Sequence, residues 1–326
     1  GLIFSVIFMF VALMVFLFSW ERPREEIESI VRHDANSSPL RGLQRLYSDL
    51  WETIRVRAFR LHLGMYLGGY ISQDIFNAAF TYFVVFALSG TVVLASNLMG
   101  TMAFAQLLAV AIFIPMCLRY HPAPSYRVAV SLFAAGVLGF LALYQIAPAQ
   151  AWWVYVPVLV AGLGRGGLNY IPWNLYNYMA DVDEIVTGRR REGAFAGVMT
   201  FVRKTTQAAA VMGVGLIFEA GGFVTGNTAQ TPQAVTTIVT VLGAGTLALL
   251  TFGFVVSLRF RLDRDTHAVL MAEIQRFKTQ PGTQPTPEDR LIVEDLTGWP
   301  YDRLWGKTGS ANGAPIVGGD RATLRR

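Results

Sequence analysis

Three charged groups interrupt otherwise apolar stretches of this chain at similar depth: Asp74, Arg165 and Lys204. A charge at the centre of a membrane-spanning helix costs about 2.5 kcal/mol or more unless it is paired or faces water, so each is a candidate functional group. Thr200, Lys204 and Gln207 follow i, i+4, i+7 and share one helical face, while Arg203 is offset by about a quarter turn. Adjacent cations repel, so they should face different partners or one should lose its proton, and lysine is the titratable one. The pattern predicts that Lys204 binds a carboxylate that also takes part in cation or proton coupling. A structural ion pair locking two helices would use the same residues.

Gln73 and Asn77 form an i, i+4 pair with Asp74 beside them and Tyr66, Tyr70 and Phe80 around. Amides interleaved with aromatics suit a sugar-like ligand, whose hydroxyls need donors and acceptors while its C–H face stacks on rings. Hydrogen bonding between helices is the alternative, with Asp74 pairing Lys204 or Arg165. In Asn169-Tyr170-Ile171-Pro172-Trp173-Asn174 the proline is expected to break or kink the helix and free backbone carbonyls. Tyr170 and Trp173 then line a cavity or form an interfacial belt. No buried nucleophile and base pair is visible, which argues against an enzyme. Four scattered histidines and the single Cys117 support neither a metal centre nor a disulfide, and no resident cofactor is expected.

The elements that must position these groups are membrane helices. The chain is 53% hydrophobic and 15% charged, and its apolar residues come in runs of about twenty or more. Seven spans are predicted, at 1–20, 61–88, 92–118, 128–146, 152–178, 193–218 and 236–258. At the helical rise, Lys204 lies about 17 Å, and Asp74 and Arg165 about 20 Å, from the nearest predicted boundary, close to the midplane. Arginines crowd residues 22–60, 119–127 and 189–191, whereas 89–91, 147–151 and 219–235 hold no Lys or Arg. Basic loops stay in the cytoplasm, so the N-terminus is predicted outside and the tail inside. The net charge of +5 reflects this topology and not a nucleic-acid partner. Because the chain opens at Gly1 in apolar sequence, an N-terminal part is expected to be missing. Residues 21–60 read as a cytoplasmic linker carrying an amphipathic surface helix over 43–54. After Arg261 the tail is predicted to hold a helix over 267–277, a second one starting at Thr286-Pro287, and a disordered end beyond Trp305.

Asp181, Thr187-Gly188, Arg190, Glu192-Gly193 and then Lys204, twelve residues after Glu192, occur at fixed spacing. They resemble the helix 10 to helix 11 signature of the glycoside-pentoside-hexuronide:cation symporters, melibiose-permease-like members of the major facilitator superfamily. That resemblance implies an all-α polytopic helical bundle: one preceding helix (1–20, the last of an N-terminal half), the linker (21–60), the six-helix C-terminal half (61–263) and a cytoplasmic tail (264–326). It implies alternating access in a bacterial inner membrane, with a small organic solute, a glycoside or sugar, moved with Na+ or H+. Lys204 matches the lysine near the family's cation and sugar sites, with Thr200 one turn earlier. Asp181, Arg190 and Glu192 fall in the gating loop. Tyr178 stands where the family's Asp-x-x-Asp pair has its first acid. A lysolipid or amphiphile carrier of the same superfamily, and a seven-helix receptor or sensor, are the alternative readings.

Overall fold

The computed structural model describes residues 2–18, 51, 53–146, 151–188, 192–280 and 284–305. It is helical, with no strand among the described residues. Two compact units result, Gly1–Asp49 and Leu50–Arg326. In the first, α1 (Leu2–Phe18) is apolar along its length and exposes side chains such as Phe8 and Phe16. The expected linker helix lies for the most part outside the described residues, as do Arg190 and the end of the tail beyond Trp305.

The second unit starts with α2 (Arg57–Tyr82), which ends in a π-helical turn, Phe83–Ala87. Then come α3 (Val92–Tyr120), α4 (Pro122–Ile146), α5 (Tyr155–Thr187) and α6 (Glu192–Ala220). A sixth rod is made of α7 (Pro232–Thr240) and α8 (Thr246–Leu258), joined without a break by the π-turn Val241–Gly245. The helices α3, α4 and α7–α8 are both long and apolar enough to cross a membrane. At 26, 33 and 29 residues, α2, α5 and α6 are also long enough. Their apolar runs are interrupted by the polar groups described below.

Local chemistry explains where the rods begin. The Thr91 hydroxyl accepts from the Leu94 amide to cap α3, and Thr231 with Pro232 starts α7 in the same way. Glycines then let the rods approach. A side chain at Gly164 would lie 2.3 Å from the Phe133 backbone, and one at Gly68 would lie 2.7 Å from Gly253. Between α2 and α4 the fully buried rings of Phe76, Phe80, Phe133 and Phe140 fill the core. Tyr126 stays in that core because its hydroxyl donates to the Met65 carbonyl at 2.6 Å.

The predicted break at Pro172 does not occur. Helix α5 runs through the proline for another four turns and stops at Gly188, whose φ of 72° permits the left-handed cap. The Pro172 carbonyl accepts a hydrogen bond from the buried His62 ring at 2.8 Å, which holds the helix against α2 at that point. Asp181, Asp183 and Glu184 are consequently buried helical residues and not part of a solvated loop.

The tail forms two capped helices, near the predicted positions. Asp263 and Thr266 make a reciprocal capping box on α9 (Arg264–Thr279), and Thr286 with Pro287 opens α10 (Pro287–Thr297). The first docks on the end of α5, and the second on the ends of α2 and α5. Trp305, just beyond them, donates its amide to the Ile185 carbonyl and packs its ring over Gly188.

Candidate functional site

Asp74 of α2 faces α6, where Arg203 grips it through two hydrogen bonds of 2.6 and 2.9 Å. Both side chains are largely buried, at 15% and 6% exposure. Gln207, one turn further along α6, reaches the same carboxylate at 3.5 Å. The Arg203 guanidinium also lies 4.9 Å from the centre of the Tyr70 ring. Asp74 is therefore paired with Arg203, and not with Lys204 or Arg165 as expected from sequence. The offset between positions 203 and 204 decides this: the arginine side of α6 turns toward α2, while Lys204 and Thr200 lie on its exposed side. Among the described residues Lys204 has no hydrogen-bond or ion-pair partner.

A second set of contacts begins one position earlier on α2. Gln73 and Asn77 point toward α5, where Arg165 donates from Nε to Gln73 at 3.1 Å and from Nη1 to Asn77 at 2.9 Å. The same Nη1 is 3.0 Å from the Met102 sulfur of α3. Gln73 continues the chain by donating to Asn169 at 3.1 Å, and Asn169 donates to Gln106 at 3.0 Å. Three helices are thus joined by a run of amides around one buried guanidinium, whose outer faces are closed by the rings of Phe76 and Phe133. Sequence reasoning singled out Gln73, Asn77 and Arg165, but not Gln106 or Met102. Gln106 was findable, as an amide standing in the middle of the apolar run 102–118.

Aromatic residues border the ion pair. Trp173 donates its indole N–H to the Tyr70 hydroxyl at 3.1 Å, and Tyr66 lies edge-on to Trp173 and against Tyr70. Trp173 remains 43% exposed, so its ring presents a free face. Tyr170, half-buried one turn away, makes none of these contacts.

The signature residues at the other end of α5 meet the tail. Asp181 accepts from His267 at 2.9 Å, and Tyr178 packs on the same imidazole with ring centroids 4.5 Å apart. Glu184 pairs with Lys278 at 2.6 Å. Glu192, exposed at the start of α6, accepts the Tyr176 hydroxyl on its carbonyl at 2.7 Å. A further convergence was hidden by the scatter of histidines along the chain. His121, Asp263 and Asp265 bring ligand atoms within 4.8 Å of one another, beside a cavity of about 300 Å³ that Arg127 and Arg261 also line.

A bundle of long apolar helices, holding an ion pair, an amide network and an aromatic wall between its rods, defines a multi-pass membrane protein. The chain belongs to the MFS/sugar transport protein family, whose model matches residues 1–264. It is similar to an uncharacterized symporter of Synechocystis sp., with 30% identity over 174 residues, which cover 52% of this chain and 30% of that protein. It is also similar to the glucuronide carrier protein homolog of Escherichia coli K12, with 23% identity over 279 residues, 84% of this chain and 57% of that protein. In both cases the matched part of the chain spans less than two thirds of the relative. The family agrees with the glycoside-pentoside-hexuronide:cation symporters indicated by the signature.

Proposed function

We propose that the whole protein is a secondary transporter that moves a sugar or sugar-like organic solute together with Na+ or H+ across a bacterial inner membrane, with the tail cytoplasmic. The observation that carries this reading is the Asp74–Arg203 pair, buried between two helices beside the Tyr66, Tyr70 and Trp173 wall. A buried ion pair gains little net stability over apolar packing, so its presence in a membrane bundle favours a functional role. Polar amides and an open indole face are what a hydroxylated ring requires. In this reading the solute binds beside the wall, alternating access exposes it to each side in turn, and Lys204 and Thr200 belong to the open face of α6. Asp181, Arg190 and Glu192 then belong to the end of the bundle that opens and closes.

The test is uptake by the whole protein in proteoliposomes, offered a panel of glycosides while Na+ and pH gradients are varied separately. Wild type should accumulate at least one solute against its gradient, and Asp74→Asn should lose that accumulation. Failure of every glycoside to accumulate under either gradient would overturn the reading. Undiminished coupled uptake in Asp74→Asn would remove the ion pair from the mechanism.

A further inference from the structure

The end of α3, the start of α4 and the end of α8 belong to three helices of membrane length. Between the α3–α4 turn and the α8–α9 connection lies the cavity of about 300 Å³. Buried Ala123, Phe260 and Leu262 give it an apolar wall, and Arg127 and Arg261 give it charge. Arg127 donates only from Nε, to the Ala123 carbonyl of its own helix at 3.3 Å, and among the described residues its two terminal nitrogens have no partner. Arg261 is 75% exposed, and the carboxylate it reaches, Asp295 at 3.9 Å, is also held by Arg57. Asp263 lines the cavity too, but its Oδ1 accepts from the Asp265 and Thr266 amides at 3.0 and 2.9 Å and from the Thr266 hydroxyl at 3.0 Å. Its charge is thereby directed at the donors that open α9. Asp265 stands outside the lining.

Two guanidiniums with open N–H groups, set across a cavity where membrane helices end, match a phosphodiester, whose oxygens take the planar fork of arginine. Basic pockets at the ends of membrane helices hold anionic lipid headgroups for this reason. A divalent cation on His121, Asp263 and Asp265 is the weaker match, because Arg127 and Arg261 repel it from the same cavity and Asp263 is engaged in capping α9. Apolar surface continues from the cavity into the membrane span: Val128 follows Arg127 on α4, and Val255 and Leu258 precede Phe260 on α8, all three exposed. We propose that this cavity binds the headgroup of an anionic phospholipid, its phosphodiester on Arg127 and Arg261 and its acyl chains along Val128, Val255 and Leu258. Under the topology proposed above, the lipid belongs to the inner leaflet. The inference requires only that the chain spans a membrane, so it stands apart from the reading of the solute. An arginine that merely anchors a helix end favours any anionic surface, whereas a cavity with two of them retains a particular lipid after extraction.

The experiment is native mass spectrometry of the whole protein, delipidated in detergent and then given equal amounts of dioleoyl-phosphatidylglycerol and dioleoyl-phosphatidylcholine. Wild type should retain the phosphatidylglycerol in preference by about tenfold or more, from two arginines at the headgroup. Arg127→Gln/Arg261→Gln should abolish the preference, and Arg127→Lys/Arg261→Lys, which keeps the charge and loses the fork, should retain part of it. Arg259→Gln/Arg264→Gln removes two arginines of the same region that do not line the cavity, and should leave the preference unchanged. An equal loss in that control would show a diffuse basic surface and overturn the proposal. So would a wild type that retains both lipids alike, a result that needs no variant to fold. Millimolar inorganic phosphate should fail to displace the bound lipid; displacement would assign the cavity to a free anion instead. Binding of Mn2+ that is lost in Asp263→Asn, with no lipid preference in wild type, would assign it to a metal and equally overturn the proposal.

Discussion

The bundle interior and the docked tail handle charge in opposite ways. At the tail, each of Asp181, Glu184, Glu273 and Asp295 lies on a base of its own: His267, Lys278, Arg276 and Arg57. Between the helices, Asp74 pairs with Arg203 while Arg165 is bonded by neutral groups, and Lys204 lies on the outer face. Balanced pairs near an aqueous boundary fix one surface on another at low cost. An excess of one sign inside a bundle has no such structural use, because each unmatched charge must overcome its own desolvation. Under the proposed function, the contrast separates a docking surface from a binding site.

The largest effect should come from breaking the interior pair. Asp74→Ala leaves Arg203 buried without a counter-charge, a loss of about 3–5 kcal/mol. In a thermal unfolding series in detergent, the double variant Asp74→Ala/Arg203→Leu should recover most of that loss, since the orphaned charge is gone. Additive effects of the two single changes would show that the groups do not depend on each other, and the contrast between the two regions would lose its basis.

How legible this was in the sequence depends on the distance between partners. The rods follow from apolar runs of membrane length, and the polar face of α2 follows from the i, i+4 spacing of Gln73 and Asn77. Choosing Lys204 over Arg203 as the partner of Asp74 failed on rotational phase: the two are adjacent in an apolar run, and only the packing of α6 on α2 shows which one turns inward. The length of α5 was misjudged for another reason. Asp181-Val182-Asp183-Glu184 looks solvated until His267 and Lys278 arrive from 86 and 94 residues away to cover it. Pro172 does not end the helix because one lost backbone bond is tolerated in a long helix held by its neighbours. The neutral partners of Arg165 could be read only once the three helices were in place.

A middle-sized effect is expected where the tail has its own buried polar group. Tyr301 is wholly buried, donates its hydroxyl to Glu273 at 2.5 Å and accepts from Arg276. Burial, and then the bond to Glu273, push its phenol above the ordinary tyrosine range. The sign follows from linkage: with the folded value raised, the neutral phenol's contribution is fully present below the free value of about 10 and is lost as pH rises beyond it. Subtilisin digestion of the whole protein should leave α9 and α10 protected at pH 9 and cut them faster at pH 11. Tyr301→Phe should remove most of that pH dependence while weakening protection at pH 9 by about 1–3 kcal/mol, because Glu273 and Arg276 each lose a partner. Equal pH dependence in both proteins would show that another group controls docking.

The smallest effect should come from Lys278→Ala. Its side chain is 47% exposed, so water and salt already screen the pair with Glu184, and exposed pairs contribute about 0–1 kcal/mol. Glu184 is more enclosed than its partner, at 11% exposure, and this limits how small the change can be. Hydrogen exchange of α9 should therefore rise slightly at low salt and converge with wild type at about 1 M salt, where the Debye length falls to roughly 3 Å. A large, salt-independent release of α9 would mean that Glu184 is held as a buried charge, like Asp74. The tail would then belong with the interior as a region where single charges decide the state of the molecule.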